Sequence, residues 1–212
     1  FMRKKKILFV TSRSPFSSIF SGDRQRARSI IEHLNKKNNL DIIYTDKSEG
    51  LNKPKNLKSF FFKRNLFERI INIAVSLFKL KPLQLGYFYS NDIYIYIRDN
   101  HEKYDTIIFH LIRSAQYLPK NFRGKTILEM TDMLSKNYGQ IVKNFSIFNP
   151  LTYIYFLEMF LVKKYESYCA KYFDKIVLAS KNDLKNKKNN DSKKFVEVPN
   201  TVNANKNIFK YK

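Results

Sequence analysis

Short apolar runs rich in strand-forming residues recur along the chain, separated by longer polar or helical stretches. Each run is too short for a helix and continuous enough for a strand that is buried on both faces of a parallel sheet. The runs therefore predict seven strands, at Lys6–Ser12, Leu40–Thr45, Leu57–Phe62, Thr106–His110, Thr126–Met130, Lys175–Ala179 and Phe195–Val198.

The segments between these runs show helical spacing of apolar residues. In 23–37, Ala27, Ile30, Ile31 and Leu34 fall on one helical stripe. The same spacing predicts helices over 66–78, 92–100 and 151–172, and the polar stretch after Ser180 is also expected to be helical.

Strands that alternate with helices predict an α/β fold with a Rossmann-like, doubly wound parallel sheet. At 212 residues the chain fits one large domain, which we expect to span 1–203. Residues 204–212 are polar and aperiodic, and they are expected to begin a linker to a second domain that this sequence does not contain.

The charge of the chain is strongly positive. Its 40 Lys+Arg and 18 Asp+Glu give a formal net charge of +22, which suggests an anionic partner such as nucleic acid, anionic lipid or a sugar phosphate. Heavy use of Lys, Asn and Ile, as in a protein from an AT-rich genome, explains the same charge without any partner. Charge alone leaves both explanations open.

Several functional classes lack their sequence signatures. The five glycines are dispersed, so the chain has neither a G-x-G-x-x-G turn nor a P-loop. There is no D-x-D pair for a metal-bound nucleotide, no H-E-x-x-H and no G-x-S-x-G. The one cysteine excludes an internal disulfide framework, and the longest apolar stretch is too short to span a bilayer. We therefore expect no metal and no cofactor.

Candidate chemistry lies in the loops after the strands, because ligands of open α/β sheets bind outside the carboxyl ends of the strands. The first loop leads into Ser21–Arg28 (S-G-D-R-Q-R-A-R), where a helix N-terminus favours a phosphate or carboxylate. The alternative there is an ordinary helix start with Asp23 near the dipole. His110 and Arg113 follow another strand, and a lone histidine at such a position is often structural. Asp132 either caps the next helix or accepts bonds from substrate hydroxyls.

Taken in order, these loops resemble the N-terminal half of retaining GT-B glycosyltransferases of the family 4 type, especially bacterial exopolysaccharide sugar transferases. The resemblance covers nearly the whole chain. Its fragments are G-D-R-x-R at 22–26, K-P-L at 81–83, Tyr104-Asp105 with His110, Asp132 with Ser135, Tyr165-Glu166, F-D-K-I-V at 173–177 with Ser180, and V-P-N-T-V-N at 198–203.

The resemblance implies roles for six residues. Gly22 and Arg24 would bind the donor diphosphate, and His110 and Asp132 would be catalytic. Arg113 and Ser135 would bind the acceptor. The pattern departs from the family at Ser21, where many relatives carry a second glycine, and at Thr201, where glycine is usual.

The activity implied is hexosyl transfer from a sugar nucleotide to a saccharide or lipid-linked acceptor, in bacterial polysaccharide and cell-envelope synthesis. A domain of this kind is expected to be inactive without its nucleotide-binding half. The resemblance places it in the cytoplasm, peripheral to the inner face of the plasma membrane, with nucleic acid not expected as a partner. Phe60–Arg64 (F-F-F-K-R) is a candidate membrane-contacting stretch, with an ordinary core element as the alternative.

A different class of function remains open, namely a non-enzymatic basic module that binds nucleic acid, anionic membrane or acidic polysaccharide. The coding sequence after Lys212 separates the hypotheses. A second α/β unit with two glutamates eight positions apart favours the transferase. An immediate stop codon favours a binding module or one half of a split enzyme.

Overall fold

The computed structural model describes residues 3–19, 21–45, 53–54, 56–146, 148–180 and 194–200. These residues form an α/β fold around one seven-stranded sheet in the order β3-β2-β1-β4-β5-β6-β7, with every neighbouring pair parallel. The strands are β1 (Lys6–Thr11), β2 (Asn39–Tyr44), β3 (Lys58–Phe61), β4 (Thr106–His110), β5 (Lys125–Thr131), β6 (Lys175–Leu178) and β7 (Phe195–Glu197). All seven predicted strands are confirmed; β4 has the predicted bounds, and the ends of the other strands differ by at most one residue.

Six α-helices connect the strands in the described part of the chain. They are α1 (Gly22–Lys37), α2 (Leu66–Phe78), α3 (Leu83–Phe88), α4 (Asn91–Asn100), α5 (Leu134–Asn144) and α6 (Pro150–Tyr172), and a 3₁₀ helix spans Ile112–Tyr117. The helices predicted over 23–37, 66–78, 92–100 and 151–172 are confirmed. The polar helix expected after Ser180 and the linker at 204–212 lie outside the described residues, as does the domain boundary at 203.

The central strands are buried on both sides, and alternate residues enter two separate cores. Leu8 and Val10 of β1 belong to a core that also contains Ile97 of α4 and Val162 of α6. Ile7 and Phe9 belong to the other core, which α1 covers with Ala27 and Ile31. Helices therefore cover both faces of a parallel sheet, and the predicted Rossmann-like, doubly wound class is confirmed.

The short helix α3 was not predicted from the sequence. Its backbone lies directly against α2, since a Cβ on Gly86 would meet the Asn72 carbonyl oxygen at 2.2 Å. Its first turn is joined to α6, because the Leu83 and Gln84 N–H groups donate to the buried Glu158 carboxylate at 2.8 and 3.2 Å. Helix α3 thus links α2 to α6.

The candidate membrane-contacting stretch at Phe60–Arg64 is mixed, because Phe61 and Lys63 are exposed, Phe60 and Phe62 are half-buried, and Arg64 is buried. Membrane contact by this stretch stays a prediction. Phe60 and Phe62 pack on the ring of Tyr96, and Arg64 is 6% exposed with its guanidinium donating to the Tyr87 carbonyl at 2.8 Å. Large apolar side chains are also exposed on α2 and on the first half of α6. No helix in the described ranges has the length and hydropathy needed to cross a membrane.

Candidate functional site

The strand order reverses direction at the boundary between β1 and β4, because the chain passes from β1 outward to β2 and β3 and then returns to β4. Loops diverge at such a point and leave a crevice above the carboxyl ends of the strands. The loop after β1, the first turn of α1 and the 3₁₀ helix after β4 border this crevice. This is the candidate site.

His110, Glu129 and Arg26 form a buried network beneath the crevice. His110 ends β4 and lies opposite Glu129 of β5, with both side chains on the face that α1 covers. The Glu129 carboxylate accepts from His110 Nδ1 at 2.5 Å and from Arg26 Nε at 2.6 Å. The network therefore joins two strands to the helix that follows β1.

His110 is 1% exposed, and both its ring nitrogens are engaged within the chain. Nε2 lies 3.1 Å from the Asp23 carbonyl oxygen in the first turn of α1. Since a carboxylate and a carbonyl can only accept, both contacts are hydrogen bonds at once only when each ring nitrogen carries a hydrogen. The described contacts of His110 hold the start of α1 against the sheet.

Arg26 extends the network to the far end of the sheet. Its two terminal nitrogens donate to the Asn200 side-chain oxygen at 2.7 Å and to the Val198 carbonyl at 2.9 Å, just after β7. The guanidinium thus binds one carboxylate and two further oxygens, as its planar geometry allows. Through Arg26, the segment after β7 is fixed beside α1.

Both carboxylates of the region are held in the ionised form. Burial raises the pKa of Glu129, but the hydrogen bonds and charges of His110 and Arg26 outweigh burial and leave the pKa below its usual value. Burial likewise raises the pKa of Asp23, and neighbouring groups that include Arg13 and Arg113 lower it further than burial raises it. Both carboxyl groups are therefore negative at neutral pH.

Guanidinium groups surround the ring of Phe88 at the mouth of the crevice. The central carbons of Arg113, Arg64 and Arg13 lie 4.2, 5.1 and 5.7 Å from the ring centroid. Asp23 contacts Arg13 at 3.1 Å and Arg113 at 3.6 Å. Three cations next to one described acidic side chain give the crevice an excess positive charge, which favours an anionic ligand.

Two residues at this edge of the sheet have left-handed backbone conformations without being glycine. Leu111, directly after β4, has φ 67°, and Thr131, the last residue of β5, has φ 65°. Such a conformation strains a residue with a Cβ, and strained residues cluster at functional sites. Both lie at the carboxyl edge, where the crevice opens.

The two residues predicted to bind the donor diphosphate lie at the start of α1. Gly22 is the first residue of the helix, and an added Cβ would meet no described atom within 4 Å. The Arg24 guanidinium donates to the Ile19 carbonyl at 3.4 Å. Asp23 lies in the first turn of α1, near the positive end of the helix dipole, and also forms ion pairs with Arg13 and Arg113.

The structure separates Asp132 from Ser135. Asp132 is exposed between β5 and α5, but Met133, not Asp132, is the N-cap of α5. Asp132 therefore does not occupy the N-cap position, and contact of Asp132 with substrate hydroxyls stays a prediction. Ser135 is buried, and its backbone N–H and hydroxyl donate to Glu166 at 3.0 and 2.6 Å. Its described contacts stabilise the start of α5, and acceptor binding by Ser135 stays a prediction.

The sequence pattern points to the loops after the strands and so does not indicate Glu129, which lies inside a strand. The sequence does contain an indication of this role, because Glu129 is the one carboxylate in strand β5 and a buried charge needs a partner. Arg26 gives the matching signal, because it lies beside Ala27 on the inward side of α1. Neither signal reveals that the two side chains meet.

Comparisons with known proteins find similarity among solved structures. No family model matches the chain, and no curated protein matches it. The crystal structure of Anabaena HepE in complex with UDP and glucose is similar with a TM-score of 0.49 and 12% sequence identity. The similarity covers 93% of this chain and 45% of that chain, so this chain spans about half the length of HepE.

Proposed function

We propose that this chain is the N-terminal, acceptor-side domain of a GT-B glycosyltransferase that transfers a hexose from a sugar nucleotide to a saccharide or lipid-linked acceptor. The observation that carries the proposal is the cationic crevice at the β1–β4 boundary, where the open start of α1 lies beside Arg13 and Arg113. A helix N-terminus and guanidinium groups are the elements that bind a diphosphate without a metal.

In the proposed reaction the bond between the anomeric carbon of the sugar and the donor diphosphate breaks, and the acceptor oxygen bonds to that carbon with retention of configuration. The leaving diphosphate oxygen takes up the proton of the acceptor hydroxyl, and the nucleoside diphosphate departs. Positive groups stabilise the charge that develops on the leaving diphosphate. Gly22 and Arg24 contact this diphosphate, Arg113 and Ser135 contact the acceptor, and Asp132 is catalytic.

His110 has a positioning role in this proposal. Its bonds to Glu129 and to the Asp23 carbonyl fix the first turn of α1 relative to β4. A fixed helix start keeps its N–H groups aimed at the diphosphate, which reduces the reorganisation needed during transfer. A catalytic contact of His110 with the sugar stays a prediction. The nucleotide itself is bound mainly by a second domain, and we expect residues 1–212 alone to be inactive.

The test is a substitution that fills the crevice without disturbing the fold. Gly22→Leu adds a side chain where the structure has open space, and leucine is more favourable than glycine in a helix by about 1 kcal/mol. The variant is made in the polypeptide encoded by the whole gene. Release of nucleoside diphosphate is measured with a panel of sugar nucleotides, and we expect a loss of about 100-fold or more, the size seen when a transition-state contact is removed.

Glu32→Leu is the matched control, because it places the same side chain on an exposed position of the same helix, away from the crevice. The control is expected to retain activity, and thermal unfolding should show that both variants are folded. Activity in Gly22→Leu equal to that of the control would overturn the diphosphate site. Absence of activity with every donor, together with salt-sensitive DNA binding that survives Gly22→Leu, would favour the basic binding module instead.

A further inference from the structure

Helix α2 has its apolar side turned away from the protein. Of its thirteen residues only Ser76 is buried, whereas Leu66, Phe67, Ile70 and Phe78 are more than half exposed. Asn72 and Ser76, one turn apart, lie on the side that meets the following segment, where the Ser76 carbonyl accepts from the Lys81 N–H at 2.8 Å. The polar stripe of the helix is inside and the apolar stripe is outside.

The first half of α6 is exposed in the same way. Six large apolar side chains in this half are between 39% and 66% exposed, and Phe148, just before the helix, is 90% exposed. The six are Leu151, Tyr153, Ile154, Phe156, Leu157 and Phe160. Solvent exposure of this many large apolar groups is unusual for a protein surface and marks an interaction site.

The segment that follows α2 and the second half of α6 line one cavity, and both helices are joined to α3. The cavity has a volume of about 310 Å³, and Lys79 and Lys81 line it from the end of α2 while Lys164 and Leu161 line it from α6. The Glu158 carboxylate of α6 binds the first N–H groups of α3. The two exposed apolar regions therefore flank a site where three lysines converge.

From this arrangement we infer that α2 and the first half of α6 form a docking face for an anionic lipid bilayer. Apolar and aromatic side chains enter the interfacial region, while Lys79, Lys81 and Lys164 contact the phosphate groups of anionic lipids. The face is termed the α2–α6 face below.

The positive charge of this face favours an anionic bilayer over a second copy of the chain as its partner. Apart from the buried Arg64, the segment 63–81, which contains α2, has four basic residues, Lys63, Arg69, Lys79 and Lys81, against one acid, Glu68. In a symmetric dimer through this face the same basic residues would meet one another, which opposes association. An anionic membrane supplies both an apolar layer for the exposed side chains and negative charge for the rim.

The test is vesicle flotation with the full-length polypeptide, using vesicles of phosphatidylcholine alone or with 30% phosphatidylglycerol. We expect binding to the anionic vesicles and little binding to the neutral ones. The double variant Phe67→Ser, Phe78→Ser should bind anionic vesicles at least about tenfold more weakly, because interfacial binding scales with the apolar area that is buried. Lys79→Gln and Lys81→Gln should each weaken binding about fivefold at low salt.

Val196→Ser is the matched control, since Val196 is a partly exposed apolar residue of β7 that alternates with the buried Phe195 and so points to the opposite face of the sheet. It should bind vesicles as the unmodified protein does. Equal vesicle binding by the Phe67→Ser, Phe78→Ser variant would overturn the inference. So would a concentration-dependent dimer that this variant abolishes, seen by sedimentation in the absence of vesicle binding. Both readouts are independent of sugar transfer, so failure here leaves the proposed transferase function untouched.

Discussion

Of helices α1 and α2, the more charged one is the more buried, and the more apolar one is the more exposed. Seven of the sixteen residues of α1 are charged, yet α1 buries Arg26, Ala27 and Ile31 and borders the candidate site. Only two of the thirteen residues of α2 are charged, yet α2 buries one serine. A charged residue in α1 is therefore part of the core, whereas an apolar residue in α2 is part of a surface.

The inversion follows from what each helix contacts. Helix α1 lies over strands β1, β2 and β5, which supply a carboxylate, Glu129, and an apolar floor of Phe9 and Ile42. Because Glu129 compensates its charge, Arg26 is stable away from water. Helix α2 packs on the short helix α3 instead of the sheet, and its outer side has no described partner element. The fold therefore leaves the apolar side of α2 exposed. This exposed side is the basis for the proposed docking face.

Removal of an arginine from each helix should show the difference between α1 and α2 most clearly. Arg26→Met leaves Glu129 buried without its guanidinium, and we expect the free energy of unfolding to fall by about 3–5 kcal/mol. Arg69→Met in α2 removes a contact of the guanidinium with the Tyr87 ring at 5.3 Å and a hydrogen bond to the Tyr87 hydroxyl at 3.4 Å, which together are expected to cost about 1 kcal/mol. Urea unfolding of both variants gives the two values.

Equal losses in Arg26→Met and Arg69→Met would show that the Arg26 network does not stabilise the fold. A double variant, Arg26→Met with Glu129→Leu, should recover much of the loss, because it removes the uncompensated charge together with its partner. If the double variant is as unstable as Arg26→Met, the loss has another cause than the buried carboxylate.

A second, smaller contrast concerns isoleucine. Ile31→Ala in α1 deletes a fully buried side chain and is expected to cost about 2–4 kcal/mol. Ile71→Ala in α2 deletes a side chain that is 46% exposed, and the expected cost is about 0.5 kcal/mol or less, since alanine is also the better helix former. Chemical denaturation midpoints measure the difference. A cost for Ile71→Ala that matches Ile31→Ala would mean that the α2–α6 face is covered in solution.

The strands and long helices could be predicted because each carries its own periodicity. The helix over 66–78 has the bounds predicted from sequence, and β4 coincides with the predicted 106–110. The exposure of α2 could not be predicted, because an apolar stripe indicates that a helix has a buried side without showing what covers it. Helix α3 is only six residues long and has no periodicity to detect.

The site was predictable in part for a related reason. The parallel-sheet rule places residues after strands at one edge, so Gly22 and His110 could be assigned to the crevice from sequence. The hydrogen bonds of His110 with Glu129 and of Glu129 with Arg26 depend on strand register and on the position of α1 over the sheet. A single sequence contains no direct signal for either, and hence the network appears only in the structure.

Two buried carboxylates, Glu129 beside α1 and Glu158 in α6, should change the stability of the protein under acid in opposite directions, and these changes should be small. The pKa of Glu129 is lowered in the fold, so its ionised form stabilises the protein above pH 4.5, its ordinary pKa, and this stability is lost as the pH falls through the lowered value. Burial raises the pKa of Glu158, although the N–H groups of Leu83 and Gln84 partly oppose the shift. Protonation of Glu158 therefore favours the folded state as the pH falls.

The two carboxylates should give pH dependences of opposite sign, measured as urea midpoints between pH 7 and pH 3. Glu129→Gln should be less stable at pH 7 and should lose less stability than the unmodified protein below pH 4.5. Glu158→Gln should remain near the unmodified protein at pH 7, since its amide oxygen still accepts a bond from α3, but it should lose more stability under acid because the favourable protonation is gone. If the stabilities of the two variants changed with pH in parallel, the assignment of the two pKa shifts would be wrong. The shifts are opposite only if cations lower the pKa of Glu129 and burial raises the pKa of Glu158.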